Sequence, residues 1–309
     1  IGGGTPSCLN IEELKELFEI TDLLQKSKNI EFTIEGNIET ITKEKIELFV
    51  KHKINRISIG IESINEKNLS FLERNHTKEE IKSKIEMIRE NGIENINVDL
   101  IYAIPGETIE ILDNDLEFIT SLPIEHISTY SLMIEDHTKL GIKNIKPIKD
   151  ELDNEMYQRI TTHLKEKGFI HYEISNFAKP SYESKHNKCY WLNEEYYGFG
   201  LGAASYNNNV RRTNTKSLTN YPKTVIEEEN ITESDKIEYE IILNLRLLEG
   251  INLLKLKEKY NQELKDIYNY KELVKNSLLV EDNNKLRIPE NLLYVSNEII
   301  VKFLQTKKV

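Results

Sequence analysis

Four side chains able to bind a charged small molecule occur in the first hundred residues: Glu35, Glu62 and Asp99, with Arg74 twelve residues after Glu62. Carboxylates accept hydrogen bonds from ammonium and hydroxyl groups, and a guanidinium forks onto a carboxylate. A zwitterionic ligand that also carries hydroxyls would use both kinds. Ahead of them stands Ile1-Gly2-Gly3-Gly4-Thr5-Pro6-Ser7, where glycines leave backbone N–H and C=O groups bare for close approach. Taken singly, each feature is equally at home as a tight turn, a helix cap or a surface ion pair. Their joint occurrence points to a ligand. A second group, His186-Asn187-Lys188-Cys189-Tyr190-Trp191, combines an imidazole that can ligate a metal with two rings that can stack on a flat ligand. The same residues would also make a packed corner in which His186 and Asn187 cap backbone groups.

The elements that position these residues follow a regular beat. Runs at Ile30–Glu35, Asn55–Ile61, Ile96–Ile101, Ile127–Leu132 and near Ile170–Ile174 read as strands. Between them, apolar residues at helical spacing predict helices after Asn10, over Thr42–His52, from Thr77 to a stop at Gly92, over Ile109–Leu122, and from Asp150 to a stop at Gly168. Asn10 with Glu13, and Thr77 with Glu80, have capping-box spacing. Alternating strands and helices imply parallel strands with helices outside, as a complete or partial barrel or an open doubly wound sheet. In that class ligands sit at the C-terminal strand ends. Glu35, Glu62 and Asp99 fall at or near such ends on three successive strands.

From Tyr182 to Arg212 aromatics, Asn and Gly dominate, and after Thr232 helical spacing returns, with Asp282-Asn283-Asn284 marking a hairpin turn. Helices followed by a small hairpin suggest a winged-helix-like module. The expected organisation is an α/β domain over residues 1–181, a connecting segment over 182–209 and a mostly helical domain over 210–309. No run reaches the ~18 apolar residues of a membrane span, and no signal peptide is visible, so a cytoplasmic protein is expected. The net charge is −11, with 24 Lys+Arg against 36 Asp+Glu in residues 1–209 and 17 against 16 thereafter. That distribution argues against a nucleic-acid partner. Cys8 and Cys189 make no C-x-x-C, and each reads as a small buried filler. Because the glycine heptad reads as the end of a strand, a fragment with an uncovered sheet edge prone to self-association is expected.

GGGTPS, Glu35-Gly36-Asn37, NRISIGIES with Leu72-Glu73-Arg74, NVDLIYAIPGET, STYSLMIED and HNKCYW occur in this order. Together they resemble the radical S-adenosylmethionine (SAM) proteins of the oxygen-independent coproporphyrinogen III oxidase family, and HNKCYW is similar to the HNxxYW motif of its HemW-like haem chaperone branch. The resemblance implies a partial parallel (β/α)6 barrel, its first strands missing here, that binds SAM beside a [4Fe–4S] cluster. It implies that Gly3, Gly4, Thr5 and Glu35 meet the methionyl ammonium, Arg74 the carboxylate, and Glu62 and Asp99 the ribose. The family commonly has glutamine where this chain has Glu62. The cluster cysteines of the family's C-x3-C-x2-C loop are expected upstream of Ile1. His186, Asn187, Tyr190 and Trp191 would bind haem. The implied function is a chaperone that passes haem to a haemoprotein acceptor, with an electron donor serving the cluster. The alternatives are the oxidase itself, decarboxylating porphyrinogen propionates, and a non-catalytic interaction protein on the same fold.

Overall fold

A computed structural model describes residues 1–134, 139–142 and 145–308. The chain divides into two compact units, Ile1–His171 with Ser175–Glu183, and Tyr172–Ile174 with Ser184–Val309. Glu135 and Asp136 of the STYSLMIED run lie outside the described residues.

The first unit is framed by β1 (Thr33–Asn37), β2 (Arg56–Glu62), β3 (Asn95–Tyr102) and β4 (His126–Ser131), all parallel and adjacent in sequence order. One face of these strands is aliphatic. Ile34, Ile57, Ile59, Ile96, Val98, Leu100 and Ile127 are buried there, as the period-two geometry of a strand requires. The crossover helices supply the rest of that core through Leu14, Phe18, Ile46, Phe49, Ile81, Ile85, Leu112 and Leu116. Both anticipated capping boxes form, at Asn10/Glu13 before helix Ile11–Asp22 and at Thr77/Glu80 before helix Lys78–Glu90. Gly92 ends the second of these at φ 92°, a conformation that costs glycine little.

The strand expected near Ile170–Ile174 exists as β5 (Ile170–Glu173), but it does not continue the parallel series. The strand that pairs with β4 is β6 (Asn176–Ala178), running antiparallel to it, and β5 lies beyond β6 in the order β1-β2-β3-β4-β6-β5. Only two residues separate β5 from β6, too few for the crossover that a parallel pair needs.

Residues 182–209, expected as a connecting segment, carry regular structure. They contain helix Lys185–Trp191 and β7 (Ala204–Asn207), which pairs with β8 (Val210–Asn214), itself paired with β9 (Val225–Asn230). The remainder is helical except for a small sheet of β10 (Ile251–Asn252), β11 (Val280–Asp282) and β12 (Lys285–Arg287). Asn283 and Asn284 make the anticipated β11–β12 turn with φ 45° and 61°, as a two-residue hairpin requires. Among the described residues no helix is long and apolar enough to cross a membrane.

Candidate functional site

The second face of β1–β4 is polar. Parallel register sets Glu35 beside Ser58, Ser58 beside Asn97 and Asn97 beside His126; one level toward the C-terminal ends, Asn37, Gly60, Asp99 and Ser128 stand in the same relation. Asn97 is the hub. Its Nδ2 donates to Ser58 Oγ at 2.6 Å and Asp99 Oδ1 at 2.8 Å, while its Oδ1 meets His126 Nδ1 at 2.5 Å and Ser128 Oγ at 3.1 Å. Burial pushes the Asp99 carboxyl above its ordinary range, opposed by the bonds from Asn97 and Ser128 and by the charge of Arg56. Burial also drives His126 well below the usual imidazole value, so it is neutral at physiological pH.

The glycine segment lies against β1. Ile1 C=O accepts from Glu35 N–H at 3.0 Å, and Gly3 N–H donates to Glu35 Oε2 at 3.1 Å. A Cβ on Gly2 would overlap the Glu35 carboxylate, whereas one on Gly3 or Gly4 would meet no atom within 4 Å. The segment is therefore a cradle, closed on the Glu35 side and open elsewhere. Thr5 turns left-handed at φ 55° to begin the short 3-10 helix Pro6–Cys8.

Glu62 sits where a β-bulge shifts the β2–β3 register. Its own φ is 66°, a strained value for a residue with a side chain. Its carboxylate borders Gly60, since a Cβ there would be 3.2 Å from Glu62 Oε1, and Asn37 Oδ1 would be 3.3 Å from the same Cβ. Arg74 forks onto it, Nε to Oε2 at 2.8 Å and Nη2 to Oε1 at 2.7 Å. That pairing raises the Arg74 guanidinium above its ordinary pKa and uses one edge of the guanidinium. Each Glu62 oxygen keeps a further lone pair for a hydroxyl donor. The loop bearing Arg74 is anchored by His76, which is buried and meets Glu39 Oε1 at 3.2 Å.

Beneath these loops lies a buried acidic network. Asp115 accepts from Ser63 Oγ at 2.6 Å and Ile64 N–H at 3.0 Å; Glu107 accepts from Asn68 Nδ2 at 3.2 Å and Ile104 N–H at 3.0 Å. Asn68 Nδ2 also reaches Ser63 Oγ at 3.4 Å, stapling the loop after β2 to the loop after β3. Burial raises Glu107 to about 7 and Asp115 to about 6.

The second candidate group occupies helix Lys185–Trp191, N-capped by Ser184 Oγ, which accepts from Asn187 N–H at 3.2 Å. His186 is exposed and Tyr190 half-buried on the same helix face, with Tyr190 Oη 3.0 Å from His186 Nε2. Tyr190 stands edge-on to Tyr196 at 4.5 Å between centroids, and Tyr197 and Phe199 expose 67% and 77% of their surface, leaving apolar area open to a macrocycle. Trp191 differs from its neighbours. Its ring is covered by the Arg246 guanidinium at 5.8 Å and its carbonyl accepts from Asn244, the environment of a packing residue. Cys8 is exposed and Cys189 half-buried, so neither is the enclosed filler anticipated. Burial raises the Cys189 thiol, which keeps it protonated and inert at neutral pH. Among the described residues no three His, Cys, Asp or Glu side chains are grouped to hold a metal ion.

Residues 1–119 match the Radical SAM superfamily and residues 231–291 the HemN C-terminal domain. The heme chaperone HemW of Lactococcus lactis subsp. lactis (strain IL1403) is 35% identical over 318 residues, which cover 98% of this chain and 83% of that protein. The chain belongs to the HemW family of radical SAM proteins. The heme chaperone HemW of Bacillus subtilis (strain 168) is 32% identical, over 98% of this chain and 84% of its own length. Among solved structures, coproporphyrinogen III oxidase (HemN) from Escherichia coli, a radical SAM enzyme, matches with a TM-score of 0.85 over 98% of this chain and 76% of that chain. At 19% identity this shows a shared fold.

Ser58, Asn97, His126 and Ser128 share the polar face and its hydrogen bonds with Asp99, and none of them stands among the residues nominated from the sequence. Their signal was present in the strands. Polar residues alternate with isoleucine and valine in Arg56-Ile57-Ser58-Ile59 and Asn95-Ile96-Asn97-Val98-Asp99, the pattern of a sheet with one apolar and one polar face.

Proposed function

We infer that this chain is a haem chaperone of the HemW kind, taking haem on helix Lys185–Trp191 and SAM on the polar face of β1–β3. The observation that carries the haem assignment is the exposed His186 beside Tyr190, whose ring stands edge-on to Tyr196. A single imidazole on a surface helix is a ligand set suited to handing the cargo on, since one coordinate bond need break.

For SAM, the glycine cradle supports the assignment. Gly3 and Gly4 leave open space beside the Glu35 carboxylate, where an ammonium finds acceptors. The free edge of Arg74 suits a carboxylate, and the remaining lone pairs of Glu62 and Asp99 suit ribose hydroxyls. With a [4Fe–4S] cluster, SAM supplies radical chemistry to proteins of this superfamily. In this chain the residues above would hold and orient it, with Asn97, Ser58 and Ser128 fixing Asp99 from behind.

A direct test is haemin titration of the parent protein and His186→Ala, followed at the Soret band. Loss of the shifted band in the variant supports the reading, and an unchanged titration removes the helix from the site. The likeness to coproporphyrinogen III oxidase is one of fold and adds no argument for oxidase activity here.

A further inference from the structure

One ring nitrogen of His186, Nε2, is already engaged. Within helix Lys185–Trp191, Tyr190 Oη lies 3.0 Å from His186 Nε2, with the two rings crossed at 81° and 4.7 Å between centroids. Tyr190 is held from its other side by the edge-on ring of Tyr196. In the tautomer that carries its hydrogen on Nδ1, His186 presents the Nε2 lone pair to this hydroxyl, which donates to it. Donation to Nε2 places the imidazole hydrogen on Nδ1 and commits the Nε2 lone pair. One lone pair serves one partner. A hydroxyl and an iron cannot hold Nε2 together.

We propose that Tyr190 competes with iron for His186 Nε2 and thereby sets the rate at which haem is released, an inference that rests on His186 as the haem ligand. In the exchange the Fe–Nε2 coordinate bond breaks and the Oη–H···Nε2 hydrogen bond forms. The iron keeps its oxidation state, the phenol keeps its proton, and no other reactant is needed. Because Tyr196 fixes the Tyr190 ring, the hydroxyl waits beside Nε2 and recaptures it without movement of the helix. A neutral hydrogen bond of this kind shifts an equilibrium by about 2- to 13-fold. His186 should therefore bind iron more weakly, by about that factor, than an imidazole without the hydroxyl.

Tyr190→Phe isolates this effect, since it keeps the ring and its contact with Tyr196 and removes only the donor. The measurements are haemin titration and stopped-flow transfer of haem to excess apomyoglobin, on the parent, Tyr190→Phe and His186→Ala. Tyr190→Phe is expected to bind haemin about 3- to 10-fold more tightly and to release it more slowly by a similar factor, with an unchanged Soret maximum. Unaltered affinity and release in Tyr190→Phe overturn the competition. Weaker binding overturns it as well, by making Tyr190 a haem contact or an orienter of Nδ1 ligation. His186→Ala separates the two levels. If it loses the Soret shift while Tyr190→Phe is neutral, the haem site stands and the role of Tyr190 falls; if it binds like the parent, the site reading itself falls.

Discussion

The stability cost of Glu107→Gln should shrink between pH 5 and pH 8. Glu107 is 3% exposed, and burial lifts its carboxyl from 4.5 in the unfolded chain to about 7 in the folded protein. A raised acid stabilises the fold fully below its unfolded pKa, and that contribution is lost as pH rises through the folded pKa. The difference of about 2.5 pH units corresponds to about 3 kcal/mol at most, spread over the window from pH 4 to pH 8. Asp115, raised to about 6 in the same network, acts in the same direction. Glutamine is neutral like the protonated acid, but its amide nitrogen cannot accept, so either Asn68 Nδ2 or Ile104 N–H loses its partner and the variant should be less stable than the parent by about 1–3 kcal/mol at pH 5. By pH 8 the difference between the two should have moved in the variant's favour by about 2–3 kcal/mol. Urea titrations at the two pH values give the comparison, and the parent-minus-variant difference cancels the titrating groups that are not coupled to Glu107 as Asp115 is. Far-UV circular dichroism is the suitable signal, because Trp191 is the chain's one tryptophan and belongs to the second unit. Parallel stability curves for parent and variant at both pH values would refute the reasoning.

Three further outcomes follow from the same geometry. Arg74→Ala removes the fork onto the nearly buried Glu62 and should cost about 1–2 kcal/mol of stability, the low range for charge-assisted bonds because Arg74 is partly exposed; in the cluster-loaded protein it should weaken SAM binding by about 1.5–3 kcal/mol, read by calorimetry. Asn97→Ala strands partners on β2, β3 and β4 and should lower stability by about 2–4 kcal/mol in urea titration, whereas a loss below about 0.5 kcal/mol would mean the network contributes little. Gly2→Ala directs a methyl into the Glu35 carboxylate; since that carboxylate ends a flexible side chain, stability should change by less than about 1 kcal/mol while SAM affinity falls measurably.

The parallel core was legible because its strands carry strong period-two signals and its helices carry their own caps. Asn10/Glu13 and Thr77/Glu80 each satisfy orphan N–H groups locally, and local devices can be read from local sequence. What was not legible depended on distant partners. β9 reads Val225-Ile226-Glu227-Glu228-Glu229-Asn230, exposed along its whole length, so it has no apolar alternation to announce it. It is held instead by pairing with β8, including an Arg212–Glu228 ion pair at 2.8 Å. The antiparallel entry of β6 beside β4 was hidden for a related reason. Ile170–Ile174 looks like one more strand of the series, and only the two-residue link to β6 rules out a parallel crossover. In the site, Glu35, Glu62, Arg74 and Asp99 could be nominated by type and position, but their partners could not. That Arg74 forks onto Glu62, and that Asn97 holds Asp99, follows from a bulge and from strand register, neither of which is written in a motif.

The central claim, that His186 carries the cargo, is tested most directly by pulsed EPR of ferric haem bound to the protein with 15N-labelled histidine. The account predicts a 15N hyperfine coupling from an axial imidazole that disappears in His186→Ala. A parent spectrum without that coupling, or the same coupling in His186→Ala, would contradict it.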